Sequence, residues 1–231
     1  MNTTTPTTRR TWPWIIGTAA AVGVLIVAAI VYFGTQDGTA APTSSPSPPT
    51  SSSTPQTTPT ATDVLPTGCL GGENRDAAMV LSAQQKALRS PSGAVEVATA
   101  FVRWLNQYPY PSGADAEKVA TTALAAAAPT KDLRAFFAAE PNLSGGLVPD
   151  TTEYYLSTVP GVWHVESAAN DEVVATIGTG LVVGGVLSPT LKGSITVTVR
   201  WEDGEWKFLK SVGTRSTQDL YSIGQAFTSG C

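Results

Sequence analysis

His164 is the only histidine in the chain, within Val162-Trp163-His164-Val165-Glu166. A Ser-His-Asp triad would have to be built on it, and no Gly-x-Ser-x-Gly elbow accompanies it. A cluster of imidazoles around a metal is impossible with one histidine. In an alternating strand His164 points opposite to Trp163 and Val165, toward solvent. Asp150, Glu153, Tyr154 and Tyr155 form the closest approach to a catalytic group. An Asp base beside a Tyr oxyanion donor suits hydrolysis or isomerisation in an enclosed pocket. The plainer reading is that Asp150 caps a turn while one tyrosine packs inward and the other faces out.

The two cysteines, Cys69 and Cys231, stand at the first turn and the last residue of the segment that reads as folded. In an oxidising compartment a disulfide would staple the ends of the domain. The alternative is a pair of thiols that never meet. No Cys-x-x-Cys occurs, so neither a thiol-redox enzyme nor a zinc site is supported. There is no Walker A loop, and Gly178-Thr179-Gly180 lacks the remainder of a dinucleotide fingerprint. Gly71-Gly72, Gly145-Gly146 and Gly184-Gly185 read as turns or bulges. No catalytic, cofactor-binding or metal-binding set is predicted.

The net charge of −4 belongs to the folded part, because Arg9 and Arg10 cancel Asp37 and Asp63. No basic stripe is present, which argues against direct nucleic-acid binding. Charged residues make up 14% of the chain, against about 25% in ordinary soluble proteins. Neutral surface is therefore expected, and it suits partner proteins or self-association. Trp104, Tyr108 and Tyr110 are the candidate anchors, since aromatic side chains dominate interface energetics; they could equally be core.

The elements that would position these residues fall in two halves. Helices are predicted over 77–88, from Pro91-Ser92 to just before Tyr108-Pro109-Tyr110-Pro111, over 114–127, and from Pro129-Thr130 to before Pro141, with Leu133, Phe136 and Phe137 facing in. Glu96 is placed in the first turn of its helix, where the dipole favours a carboxylate. Strands are predicted over 152–159, 162–167, 172–179, 181–187, 193–201 and 205–212. Asp203-Gly204 supplies a two-residue hairpin turn, which pairs Trp201 with Trp206, Val199 with Phe208 and Ile195 with Val212. Lys210 then lies opposite Val197, either as a snorkelling edge residue or as a polar group in a pocket. Helices followed by antiparallel strands give an α+β class, with helices on one face of a curved sheet and residues 216–227 returning toward Cys69.

Upstream of this domain the composition changes. Residues 1–12 form a short polar head. Residues 13–34 form an uncharged apolar run, edged by Trp12, Trp14, Tyr32 and Phe33 and long enough to cross a bilayer as a helix. Arg9 and Arg10 precede it, and no Lys or Arg follows until Arg75. The positive-inside rule then places the N-terminus in the cytoplasm and the domain outside. A cleaved signal peptide is the rival reading, though its core is ordinarily shorter. Gly17/Ala21 and Ala19/Gly23 have the spacing of helix-packing pairs. Residues 35–66 are mostly Ser, Thr and Pro, a tether unable to bury a core and able to accept O-glycans. The folded domain is residues 67–231.

Helices followed by a curved antiparallel meander, ending in the Trp201-Glu202-Asp203-Gly204-Glu205-Trp206-Lys207 hairpin, resemble the nuclear-transport-factor-like cone fold. Thr67-Gly68-Cys69-Leu70-Gly71-Gly72, Phe101-Val102-Arg103-Trp104, Tyr108-Pro109-Tyr110-Pro111, Asn142-Leu143-Ser144-Gly145-Gly146, Tyr154-Tyr155-Leu156-Ser157 and Leu220-Tyr221-Ser222-Ile223-Gly224 look like an uncharacterised family of actinobacterial membrane-anchored proteins associated with integrative conjugative elements. The layout also resembles the bitopic assembly subunits of type IV secretion machines. The resemblance implies a part in conjugal transfer and carries no catalytic residue. Three functions are thus expected, in order: a non-enzymatic assembly subunit of a conjugation apparatus, a binding module for a small ligand or cell-wall fragment with Lys210 in its pocket, and a hydrolase or isomerase centred on Asp150 with Tyr154 or Tyr155.

Overall fold

The computed structural model describes residues 64–213 and 215–231. The expected cytoplasmic head, the apolar run of 13–34 and the expected tether up to residue 63 lie outside the described residues. Among the described residues no helix is long and apolar enough to cross a membrane.

Four helices come first, and side-chain caps start each of them. Asp76 accepts the Met79 N–H to open α1, Ala77–Lys86. Ser90 accepts the Gly93 N–H, with Pro91 in the first turn, to open α2, Pro91–Leu105. Ser112 caps α3, Gly113–Thr122, and Asp132 caps α4, Leu133–Ala139. Each cap satisfies a backbone donor that the helix itself cannot. Helix α2 is buried continuously from Ser92 to Trp104. Ala94, Val95, Ala98 and Val102 pack on the sheet, while Ala100, Phe101 and Trp104 pack with α1, α3 and α4. Small Ala at the sheet side lets the helix approach closely.

The sheet is antiparallel throughout and curls into a half-barrel. Its order is β1 (Gln107–Tyr108), β2 (Tyr154–Ala168), β3 (Glu172–Val183), β4 (Val186–Glu202) and β5 (Glu205–Ser211). The helix α5, Thr217–Ile223, then crosses the outer face, and β6, Gln225–Ala226, pairs with β2. Val173, Ala175 and Ile177 of β3 line the inner face with Ile195, Val197 and Val199 of β4. Thr176 and Gly178 face outward beneath the C-terminal segment, and added bulk at Gly178 would meet Leu220 and Tyr221. The α+β class and a curled antiparallel sheet with helices on it are as expected.

Several boundaries differ from expectation. The helix expected over 114–127 stops at Thr122, because residues 123–125 leave it to cover the open edge of β5. The Ala125 N–H donates to Phe208 O and the Phe208 N–H to Ala123 O, both at 2.8 Å. The segments 152–159 and 162–167 are one strand, β2, whose register shifts between Ser157 and Val162 around the cis Val159–Pro160 bond. Segment 172–179 continues through Leu181 to Val183, and Val186 and Leu187 belong to the next strand. Gly184 and Gly185, with φ of 56° and 80°, make the turn between them. The Asp203-Gly204 turn is as expected, with φ of 55° and 85°, and so are the Trp201–Trp206 and Val199–Phe208 pairs. Beyond them the pairing shifts. Lys210 sits opposite Thr198 and Ser211 opposite Val197, because the bulge turns Leu209 into the interior, where it is buried. Val212 therefore does not pair with Ile195, and Lys210 is exposed.

Candidate functional site

An aromatic file runs from the sheet edge through the helix layer to the surface. The Phe208 and Phe101 rings stack with centroids 3.9 Å apart. Phe101 meets Trp104 at 5.6 Å, Trp104 meets Phe137 edge-on at 5.7 Å, and Phe137 stacks with Tyr110 at 4.9 Å. Tyr110 meets Tyr108 edge-on at 5.8 Å. Offset and edge-to-face contacts of this kind favour a fixed arrangement of rings. The file ends in the corner Tyr108-Pro109-Tyr110-Pro111, whose prolines and half-exposed tyrosines form a ridge where β1 leaves the sheet. Tyr110 donates its hydroxyl to Glu140 O at 2.7 Å, and burial raises its pKa.

Of the three expected partner-surface residues, only Tyr108 and Tyr110 can meet a partner. Trp104 is fully buried, since position 104 falls on the α2 face that the other helices cover. It supports the ridge from beneath.

The acid and phenol groups expected as a catalytic candidate do not converge. Tyr154 and Tyr155 are adjacent in β2 and point to opposite faces. Tyr154 is buried against the inner cluster, its phenol pKa pushed up by burial first and by the charge of Tyr110 second. Tyr155 faces out, with the Arg75 guanidinium 3.8 Å above its ring. Asp150 is exposed and accepts the Asn142 side-chain N–H at 3.0 Å. That bond belongs to the loop 142–150, in which Ser144 Oγ also accepts the Val148 N–H at 3.1 Å and donates to Val148 O at 3.3 Å.

This loop closes the mouth of the half-barrel. The space left between Tyr154, Asn106, Ser144, Leu147 and Ile195 is about 10 Å³, room for no more than one water. A small-molecule site ordinarily needs several hundred Å³. A wider groove of about 370 Å³ beside α3 and α4 is open to solvent and lined by Glu117, Lys131, Asp132 and Arg134, charges of both signs. Lys210 lines neither space.

His164 stands on the outer face of β2, opposite Thr176. Beside it lies a polar group that the residue pattern did not reveal. Arg215 grips both oxygens of Glu166, Thr176 donates to Glu166 Oε1 at 2.6 Å, and the Thr176 and Thr196 hydroxyls are 2.9 Å apart. Burial would raise the Glu166 pKa, but the hydrogen bonds of Arg215 and Thr176 outweigh it and hold the carboxyl below its ordinary value. This group fastens the segment after β5 across the sheet.

A second set of buried charges lies on α2. Glu96 is in the second turn, not the first, and its carboxylate accepts from Thr67 Oγ1 at 2.7 Å, from the Gly68 N–H at 3.2 Å, from the Leu70 N–H at 3.4 Å and from the Thr67 N–H. Arg103, fully buried, donates to Gly72 O at 3.1 Å and Glu73 O at 3.2 Å. Burial first, and the neighbouring Arg75 second, lower its pKa to about 10. Two charged residues inside an otherwise apolar helix were the available signal. Cys69 and Cys231 are bonded, with S–S 2.01 Å, so the expected bridge is present and joins the two ends of the described domain.

Among the described residues no cluster of His, Cys, Asp and Glu could hold a metal ion. No family model matches the chain, and neither a curated protein nor a solved structure matches it.

Proposed function

We propose that this chain is a non-enzymatic, membrane-anchored interaction subunit of a conjugal-transfer, type IV secretion-like apparatus, holding residues 67–231 outside the cytoplasm. The observation that carries the interaction reading is the Tyr108-Pro109-Tyr110-Pro111 ridge. Its two tyrosines are half exposed, yet the rings beneath hold them in place. Rigid, amphipathic tyrosines lose little entropy on binding and are frequent interface anchors. The finer reading of the fold, a nuclear-transport-factor-like cone, is consistent with a half-barrel sheet carrying helices. The apolar run of 13–34 and the tether support the anchored topology, and the link to conjugation rests on the resemblance of the sequence strings. The near-filled interior and the dispersed acid and phenol groups favour interaction over ligand binding or catalysis.

The test is photo-cross-linking of the full chain in its native membrane, with a photoreactive amino acid replacing Tyr110, followed by mass spectrometry. Cross-links to other transfer components support the proposal. Recovery of the chain alone, together with unaltered DNA transfer on deletion, overturns it.

A further inference from the structure

The half-barrel has two unlike ends. β3 starts at Glu172 and β4 finishes at Glu202, and at that end cluster the ion pairs Arg89–Asp171, Arg200–Glu172 and Lys207–Asp203. The opposite end carries exposed aliphatic side chains. Val186 is 70% exposed, Val159 49% and Leu187 40%. Pro160 and Leu187 converge on Gly180, where an added Cβ would meet them at 3.3 and 2.9 Å. On the rim, Lys192 Nζ lies 4.4 Å over the Tyr221 ring, and Tyr221 donates to Pro160 O.

The chain from the N-terminus enters beside the β2 bulge that carries Val159 and Pro160. Pro66 O accepts the Thr228 N–H at 3.1 Å, Thr67 O accepts the Gly230 N–H at 2.6 Å, and Val159 packs over Gly230.

We propose that this apolar end, with Val159, Pro160, Val186 and Leu187 at its tip, rests on the outer surface of the bilayer. The inference builds on the anchored reading of residues 13–34. The Ser/Thr/Pro composition of residues 35–66 is that of a tether, for which a reach of about 30 Å is expected, and such a tether would keep the domain at an effective concentration on the order of millimolar near the surface. Even a small patch can dock under that condition. Aliphatic tips insert at the level of the lipid headgroups, and a Lys/Tyr pair suits interfacial depth. The charged end then faces away from the membrane.

The test uses the full chain in phosphatidylcholine–phosphatidylglycerol nanodiscs. The native cysteines are bonded to each other, so Val186→Cys or, at the charged end, Asn170→Cys takes a single environment-sensitive fluorophore. Nitroxide-bearing lipids should quench the label at position 186 at least threefold more than at position 170. Adding Val159→Asp to the Val186→Cys protein should at least halve that quenching with thermal stability unchanged. Equal or absent quenching at the two positions, in a chain that remains in the discs, overturns docking and leaves the anchor intact. A chain that does not enter the discs overturns the anchored reading and this inference with it. A fluorescence change at position 186 that grows with protein concentration in lipid-free detergent assigns the patch to a second copy, and also overturns it.

Discussion

Glu96 and Arg103 stand about two turns apart on α2 and hold one loop by its two kinds of backbone group. The carboxylate takes N–H groups from Thr67, Gly68 and Leu70, and the guanidinium gives to the carbonyls of Gly72 and Glu73. The loop between them contains Cys69, whose bridge to Cys231 joins it to the end of the chain. Both ends of the domain are therefore fixed to its central helix.

Glu96→Gln should be among the most damaging single-atom changes. The amide retains one acceptor and presents an N–H to donors that need a partner. A loss of about 2–3 kcal/mol is expected for an unsatisfied buried group of this kind. Urea unfolding measures it; a midpoint equal to wild type would mean the loop is held by the disulfide alone.

Cys231→Ser should lower stability by up to about 4–5 kcal/mol in the chain-entropy model, given the 162-residue separation of the two cysteines. Reduction of the wild type should reproduce most of the loss. The folded form should persist, because the Thr158 N–H still donates to Cys231 O and the Cys231 N–H to Thr158 Oγ1. Thermal melts with and without reductant decide this.

The Glu166–Arg215 pair sets a pH dependence. Its folded carboxyl has a pKa below the ordinary value, so its stabilisation is complete above the unfolded pKa and is lost as pH falls through the folded one. Wild type should exceed Glu166→Gln by about 1–2 kcal/mol at pH 7, a partly buried bidentate pair. The gap should begin to narrow as pH falls below the ordinary carboxylate value of about 4.3 and close only below the lower folded one. Parallel unfolding curves from pH 7 to 3 would show it; a gap independent of pH would assign the effect to packing.

Trp104 and Tyr108 should separate stability from interaction. Trp104→Ala is expected to cost about 3–5 kcal/mol, as removal of a large buried ring does. Tyr110→Phe, which loses the bond to Glu140 O, should cost about 1 kcal/mol. Tyr108→Ala should leave melting within a few degrees and reduce cross-linking of partners at the ridge. Loss of cross-linking in Trp104→Ala but not in Tyr108→Ala would move the partner surface elsewhere.

Gly180→Ala should destabilise by no more than about 1 kcal/mol, the low end of the overpacking range, because a Cβ would meet Pro160 at 3.3 Å and the end of the Leu187 side chain at 2.9 Å, and Leu187 is exposed enough to move. Calorimetry of the variant measures this, and no change would show that the hairpin tip yields freely.

The residue pattern by itself determined the α+β class, the starts of the first three helices, and the turn and first two pairs of the final hairpin; the helix expected after Pro129-Thr130 begins only at Leu133. Pro91 in the first turn of α2 and the Asp203-Gly204 turn act through neighbouring backbone groups, which adjacent residue types specify. Terminal cysteines pointed to the bridge, and alternation placed Tyr154 and Tyr155 on opposite faces. The tertiary structure alone decided what is far apart in sequence. It removed Trp104 from the surface, because burial on the outer side of α2 depends on where α4 packs. It moved Lys210 by a bulge that turns Leu209 inward, and it ended α3 early so that residues 123–125 could cover the β5 edge. It joined Glu166 to Arg215, and Glu96 to the loop at Thr67, through contacts with no local signature. Periodicity records which face a residue occupies within its own element; which element covers that face is settled only when all of them pack at once.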